Sequence, residues 1–432
     1  MDRPRDERAL HHGLGRRGVL GLAVAAGIPW PAMAQSPPPA PGVSDLAGRP
    51  PNPPAWRVDP WLYDMTFRVQ VLGIPAVQEG DVASNVETLR LSTNRLVLSM
   101  STLDTWSRVD PASTRATVTL TNTPRRTIPV SMADSLGGTR LVTLDTGAVS
   151  CQSIQWELQW RVQVWSSLVD EDAAQRVTWP RSWPTEVEPW LKPSVAIESD
   201  DPRFAAHVQS VSGGGLKDVP IWLATKDLVR HTVLWFRGID SFGNITDTTA
   251  TRGFQLQGAA GAMESRKGSV YDLCAACVAT LRTAGIPARP VLGMIEAPQG
   301  TITGGMPQFR LGCWAEAYLP GAGWMPFDPD RIFVNGAKSL DVRKPWDRFG
   351  TWPYLNYRAP ISHDFLPSMQ PQPPVQYPGM WGWIRAGGID PTCQLQDYLT
   401  CVMVDRGVGQ WDPGPAPRIP PAYLLRGPKP RQ

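Results

Sequence analysis

From about Trp61 to Trp183 apolar and polar residues alternate with a period of two. Leu96, Leu98 and Met100 alternate with polar neighbours, as do Val118 and Leu120. The longest run, Ile154, Trp156, Leu158, Trp160, Val162 and Val164, puts six apolar side chains on one face of an extended segment. Turn signals such as Asp145-Thr146-Gly147 separate the runs. The pattern predicts a β-sandwich over residues 57–185. The period then changes. Asp201-Pro202 is a helix start, with aspartate as cap and proline in the first turn. Ile221, Thr225, Leu228, Thr232 and Trp235 trace one face of a helix that stops near Gly238. A polar, glycine-rich loop over about 239–267 leads to a further helix ending at Gly285. The chain reads as α+β, with its mixed second domain over residues 186–365.

The flanks differ in composition. Residues 35–56 form a proline-rich linker, and 366–432 a Pro/Trp-rich C-terminal tail ending in Arg426-Gly427-Pro428-Lys429-Pro430-Arg431. Residues 1–34 read as an address. Arg16-Arg17 opens a mild Gly/Ala-rich stretch that ends at Ala32-Met33-Ala34, the layout of a twin-arginine signal peptide. An ordinary secretory signal is the alternative, and either one places the mature chain outside the bacterial cytoplasm, in the periplasm. No integral membrane span is expected in the mature chain.

At 432 residues, with 42% hydrophobic and 19% charged positions, the composition is that of a globular protein. Removing residues 1–34 takes away five arginines and three acids, so the net charge of +3 falls to about +1. That is too little for electrostatic binding of nucleic acid.

The chemistry-bearing stretch is 266–330. Lys267-Gly268-Ser269-Val270-Tyr271-Asp272 enters a helix, with Ser269 and Asp272 spaced as a capping box. Gly285-Ile286-Pro287-Ala288-Arg289 follows, then Gly312-Cys313-Trp314-Ala315-Glu316-Ala317-Tyr318, then Gly323-Trp324-Met325-Pro326-Phe327-Asp328-Pro329. These motifs resemble the transglutaminase-like superfamily, whose papain-like core reads Gly-x-Cys-x-Asp, Gly-Ile-Pro-Ala-Arg, His-x-Trp-x-Glu and Asp-Pro. The resemblance covers about 186–335. It implies a catalytic cysteine at a helix start, a histidine on a strand and an aspartate that orients it. Setting Asp272, Gly285 and Trp314 on the pattern puts Val270 at the cysteine position and Gly312 at the histidine position. Asp328 alone keeps its identity, so the triad is degenerate. Alternation puts Gly312, Trp314 and Glu316 on one strand face, and Cys313 is expected to point away from the helix start. Gly312 should leave a space the size of an imidazole facing Val270.

Other candidate residues are weaker. Cys274 lies one turn into the helix and reads as a buried thiol. His207, His231 and His363 are the histidines left after residue 34, and His363 reads as the one free to move. Cys274-Ala275-Ala276-Cys277 lacks a second ligand pair, so neither a metal nor a cofactor is expected. Among six cysteines, Cys393 and Cys401 are the expected disulfide in an oxidising compartment. Trp179, Trp183, Trp381 and Trp383 fall in loop-like sequence, where indoles either anchor a partner or glycan or wrap back over the core.

The expected function is that of an exported pseudoenzyme, a periplasmic binding or assembly factor. Its binding cleft is expected at Val270, Gly312, Trp314, Trp324 and Asp328, holding a periplasmic protein or peptide segment. Two alternatives stay open: an active cysteine hydrolase or acyltransferase on peptide amides, and a module that binds cell-wall glycan.

Overall fold

The alternation from Ile154 to Val164 is realised as one face of a long strand in the computed structural model, and all six apolar side chains are buried. The structure describes residues 54–75, 88–239, 254–296, 309–367, 378–388 and 393–408, apart from positions 103, 122, 136, 137 and 255. The signal-like segment, nearly all of the proline-rich linker, residues 240–253 of the glycine-rich loop and the basic C-terminal end lie outside the described residues.

Two antiparallel sheets face each other. In the first, β1 (Ala55–Pro75) pairs with β8 (Ser153–Val169), which continues to β3 (Ser107–Leu120) and β4 (Arg126–Ile128). In the second, β2 (Leu89–Ser101) pairs with β6 (Thr139–Asp145) and β7 (Val149–Cys151), and β6 pairs with β5 (Ser131–Asp134). The inward faces supply Tyr63, Met65, Phe67, Val69 and Val71 from β1 and Leu96, Leu98 and Met100 from β2. Full burial of each such side chain contributes about 1.5–3 kcal/mol.

The tail departs from expectation. β15 (Trp381–Gly388) adds to the edge of the second sheet beside β2, and β16 (Cys393–Val408) adds to the first sheet beside β1. The sandwich is therefore completed by chain that follows the second domain. The period-two pattern of β16 is genuine, since Leu399, Cys401 and Met403 pack inward while Tyr398, Val402 and Val404 are exposed. Proline-rich flanks masked it in the sequence. The same strand removes the expected Cys393–Cys401 disulfide. The two residues lie eight positions apart on one extended strand, opposite Pro75 and Phe67 respectively. At about 3.3 Å per residue they are ~26 Å apart, far beyond the reach of a disulfide.

Trp381 and Trp383 are core residues for the same reason. Their rings meet Phe67 and Trp156 of the facing sheet, at 5.8 and 6.1 Å between centroids. Trp383 Nε1 donates to Asn94 Oδ1 at 2.7 Å. Trp183 donates to the Gly285 carbonyl and Trp179 to that of Val219. All four loop-like indoles fold back on the protein.

The second domain wraps helices around a four-stranded antiparallel sheet. Its helices are α1 (Glu171–Ala174), α2 (Pro202–Ser212), α3 (Ile221–Trp235), α4 (Gly258–Ser265), α5 (Val270–Thr283) and α6 (Pro329–Val334). α4 interrupts what reads as loop in the sequence. A short parallel pair, β9 (Gly238–Ile239) and β10 (Lys267–Gly268), precedes α5. The sheet order is β13 (Gly323–Phe327), β12 (Phe309–Leu319), β11 (Ala288–Glu296) and β14 (Ala359–Ser362). On α3 the predicted stripe holds, with Ile221, Thr225, Leu228 and Thr232 buried, while Trp235 at its end is half exposed. The α2 cap also holds, since the Asp201 carboxylate accepts from Arg203 N. Gly293 of β11 is required by a close approach, because a Cβ there would sit 2.9 Å from Pro360 Cα of β14.

Candidate functional site

α5 is the central element, and its start forms as its sequence dictates. Ser269 Oγ accepts from Asp272 N, and the Asp272 carboxylate accepts from Ser269 N at 2.9 Å, so both halves of the capping box are made. The same carboxylate accepts from Gln257 N and Gly258 N. Burial raises the Asp272 pKa against these hydrogen bonds. In a working papain-like site a thiolate at the first helical position would draw stabilisation from the helix dipole. Here that position holds Val270, half-buried and packed on the core.

The strand opposite does not present the face expected. Cys313 Sγ donates to Val270 O at 3.5 Å, and Cys274 Sγ donates to Trp314 O at 3.1 Å. Cys313 is thus the residue of β12 that reaches the helix start, which corrects the expectation that it points away. The alternation was sound, but the face turned to α5 is the odd-numbered one. Gly312, Trp314 and Glu316 lie on the other face. No imidazole-sized space exists beside Gly312. The three atoms nearest to where its Cβ would sit all belong to Ile295 of β11, with Cγ1 at 2.8 Å. Glycine at 312 and isoleucine at 295 are complementary halves of one packing contact.

Asp328 is held by other groups. It caps α6, accepting from Arg331 N at 3.2 Å, and it accepts from Arg348 Nη1 at 3.3 Å and Arg358 Nη2 at 3.0 Å. The Arg358 guanidinium also lies over Trp314 and Trp352, 5.7 and 4.3 Å from the ring centroids. A guanidinium stays protonated and cannot accept a proton, so the partner of this aspartate is a fixed cation instead of a base. Trp314 is 2% exposed and Trp324 8% exposed, so the two indoles do not flank an open cleft. Trp324 packs instead against Trp190, Tyr318 and the Arg289 guanidinium.

The remaining motif residues, Arg289 and Glu316, build a buried charge cluster at the junction with the sandwich. They are cross-strand partners on β11 and β12. Arg289 Nε donates to Glu316 Oε2 at 2.8 Å, and Arg289 Nη2 also pairs with Asp104 in the β2–β3 connection. His363 Nε2 lies 3.8 Å from Asp104, and its Nδ1 lies 3.1 Å from Thr139 Oγ1 of β6. The histidine expected to be free is therefore fully buried and fixed between the two domains. Burial and the Asp104 charge push Glu316 up to about 8, against the pull of Arg289. Burial and Arg289 push His363 down to about 4. Burial opposes ionisation of Asp104, yet Arg289 and His363 outweigh it and hold that carboxyl below the usual range. Near neutrality the cluster is one anion, one cation and two neutral groups, the state that low dielectric favours. Ligand-capable atoms of Asp104, Glu316 and His363 lie within 4.8 Å of one another, a spacing that could suit a metal. The Arg289 guanidinium already occupies the cation's place between the two carboxyl groups.

The other histidines are engaged elsewhere. His207 on α2 is buried, 3.3 Å from Thr232 Oγ1, and burial lowers its pKa to about 4. His231 on α3 lies 3.6 Å from Asp227. Burial drives the Cys313 thiol well above its ordinary pKa. Nothing in the sequence marked Ile295, Arg358 or Asp104 as belonging to this region, because each comes from a distant segment without a motif.

The comparison with family models agrees with the second domain described above. Residues 225–329 match the Transglutaminase-like superfamily. A search of curated proteins by sequence yields no match. Among solved structures, one from Cytophaga hutchinsonii, named "Putative Cysteine Protease", is 14% identical with a TM-score of 0.48, covering 81% of this chain and 93% of its own. The periplasmic domain of TgpA from Pseudomonas aeruginosa is 14% identical with a TM-score of 0.29, covering 64% and 93%. Red sea bream transglutaminase is 9% identical with a TM-score of 0.26, covering 61% and 51%. Capped helix, motif strands and Asp-Pro turn are all in place in and around residues 225–329, the stretch that matches the Transglutaminase-like superfamily.

Proposed function

We propose that this is an exported, non-catalytic transglutaminase-like protein that works by binding, as a periplasmic binding or assembly factor. The observation that supports this most directly is the filled histidine position: Ile295 packs where an imidazole would have to sit, beside a glycine. At the helix start a valine replaces the nucleophile, and the surviving aspartate is neutralised by two arginines. General-base activation of a thiol needs the base within hydrogen-bond reach. Among the described residues, His207 and His363 are buried and bonded to threonines instead. The export reading rests on Arg16-Arg17 and the Ala32-Met33-Ala34 site. The burial of Trp314 and Trp324 argues against a binding surface at the old cleft. Of the candidate indoles, Trp381 and Trp383 are buried, and the half-buried Trp179 and Trp183 donate to backbone carbonyls, which weakens the case for a glycan module.

The test is an assay of peptide-amide hydrolysis and of amine incorporation into glutaminyl substrates, using the purified mature chain. No turnover above background is expected. Turnover that disappears in Cys274→Ser or Cys313→Ser would establish the hydrolase or acyltransferase alternative. Recovery of the chain from the cytoplasm, with residues 1–34 intact, would overturn the export reading separately.

A further inference from the structure

We infer that Cys274 and Cys313 form a redox-sensitive pair that becomes a disulfide across the seam between α5 and β12. Both are thiols in this structure, and both are buried. Their contacts are reciprocal. Cys313 Sγ lies on the carbonyl of Val270, the helical group that faces the amide of residue 274 one turn on. Cys274 Sγ lies on the carbonyl of Trp314, the residue next to Cys313. Each sulfur therefore reaches the backbone that carries the other. The remaining cysteines are placed differently. Cys277 lies one turn further along α5, Cys151 is on β7, and Cys393 and Cys401 are on β16.

The chemistry balances by exchange with a low-molecular-weight or protein disulfide. A thiolate from one cysteine attacks a sulfur of that disulfide and expels one thiol. The second cysteine then displaces the mixed disulfide and expels the other. The two protein thiols lose two protons and two electrons, and the reagent leaves as two thiols. Burial raises the Cys313 pKa, so exchange is confined to moments when α5 opens from β12 or to folding itself. The source of oxidant in the cell rests on the export reading, but the geometry does not. The bond would tie the two elements that in an active relative carry nucleophile and base.

The experiment refolds the mature chain with oxidised and reduced glutathione, traps free thiols with an alkylating agent under denaturing conditions, and maps the peptides without reduction. A peptide linking Cys274 to Cys313 is expected, present in Cys277→Ser and absent in Cys313→Ser. Closing this loop should raise Tm on the order of 5 °C over the reduced protein. Full alkylation of both cysteines after oxidative refolding, or a link from Cys274 to any other cysteine, overturns the inference. The wild-type map decides the question even where a variant fails to fold. A pair that bridges in vitro but is reduced in the cell contradicts the export reading and leaves the geometry standing.

Discussion

Replacing Glu316 with glutamine should change how stability depends on pH while leaving the fold intact. Folding raises the Glu316 pKa from its ordinary 4.5 to about 8. A group whose pKa rises on folding contributes stability that is fully present below 4.5 and lost as pH climbs through 8. At about 1.4 kcal/mol per unit, the loss across that window is about 5 kcal/mol, and Glu316 is buried, so solvent screening does not reduce it. His363 and His207 act in the opposite sense. Their pKa values fall from 6.5 to about 4, so their contribution is present above 6.5 and lost as pH falls through 4. Between pH 4.5 and 6.5 these histidines outweigh Glu316, and wild-type stability climbs. From 6.5 to 8 Glu316 alone of these three groups loses stability, and its contribution drops by about 2 kcal/mol. Glutamine mimics the protonated acid and cannot ionise. In Glu316→Gln that drop should vanish, and the difference between the two proteins should shift by about 5 kcal/mol over the full window. Urea unfolding followed by tryptophan fluorescence from about pH 5 to about pH 9 measures both curves. Parallel curves would show that Glu316 is ionised throughout, and the reading of a neutral cluster would be wrong.

Three further outcomes are expected. Gly312→Ala should lower stability by about 1–3 kcal/mol through overpacking on Ile295, and Ile295→Ala in the same chain should recover part of it by chemical denaturation. Lys226→Met should cost about 3–5 kcal/mol, because Lys226 is fully buried on Glu171 and its loss leaves that carboxylate without its cation; a smaller loss would show that Glu171 protonates or is rehydrated. The double variant Val270→Cys/Gly312→His should remain inactive in a peptide-amide hydrolysis assay, since Ile295 fills the imidazole's place; measurable hydrolysis would show that the site rearranges to accept the ring.

The sequence alone determined the elements whose cause is local. The Ser269–Asp272 capping box, the Asp201 cap, the α3 stripe and the six-residue face of β8 depend on contacts within a turn or on strict alternation, so they are legible from spacing. Motif spacing, a property of the chain, sets Val270 and Gly312 on the cysteine and histidine positions of the family pattern, but the structure turns Gly312 away from the helix start. Tertiary structure decided which face of β12 meets α5. Alternation fixes which residues share a face but leaves open which face is turned to a neighbour, so it cannot by itself bring Cys313 to the side of α5. It also decided what fills an empty position. Ile295, Arg358, Asp104 and His363 come to the region from separate strands and loops, and burial selects them for volume and charge with no trace in local pattern. The tail follows the same rule. The edge strands β15 and β16 acquire their place only because β2 and β1 of the sandwich offer unpaired backbone groups, a long-range demand that the sequence around Cys393 and Cys401 does not show.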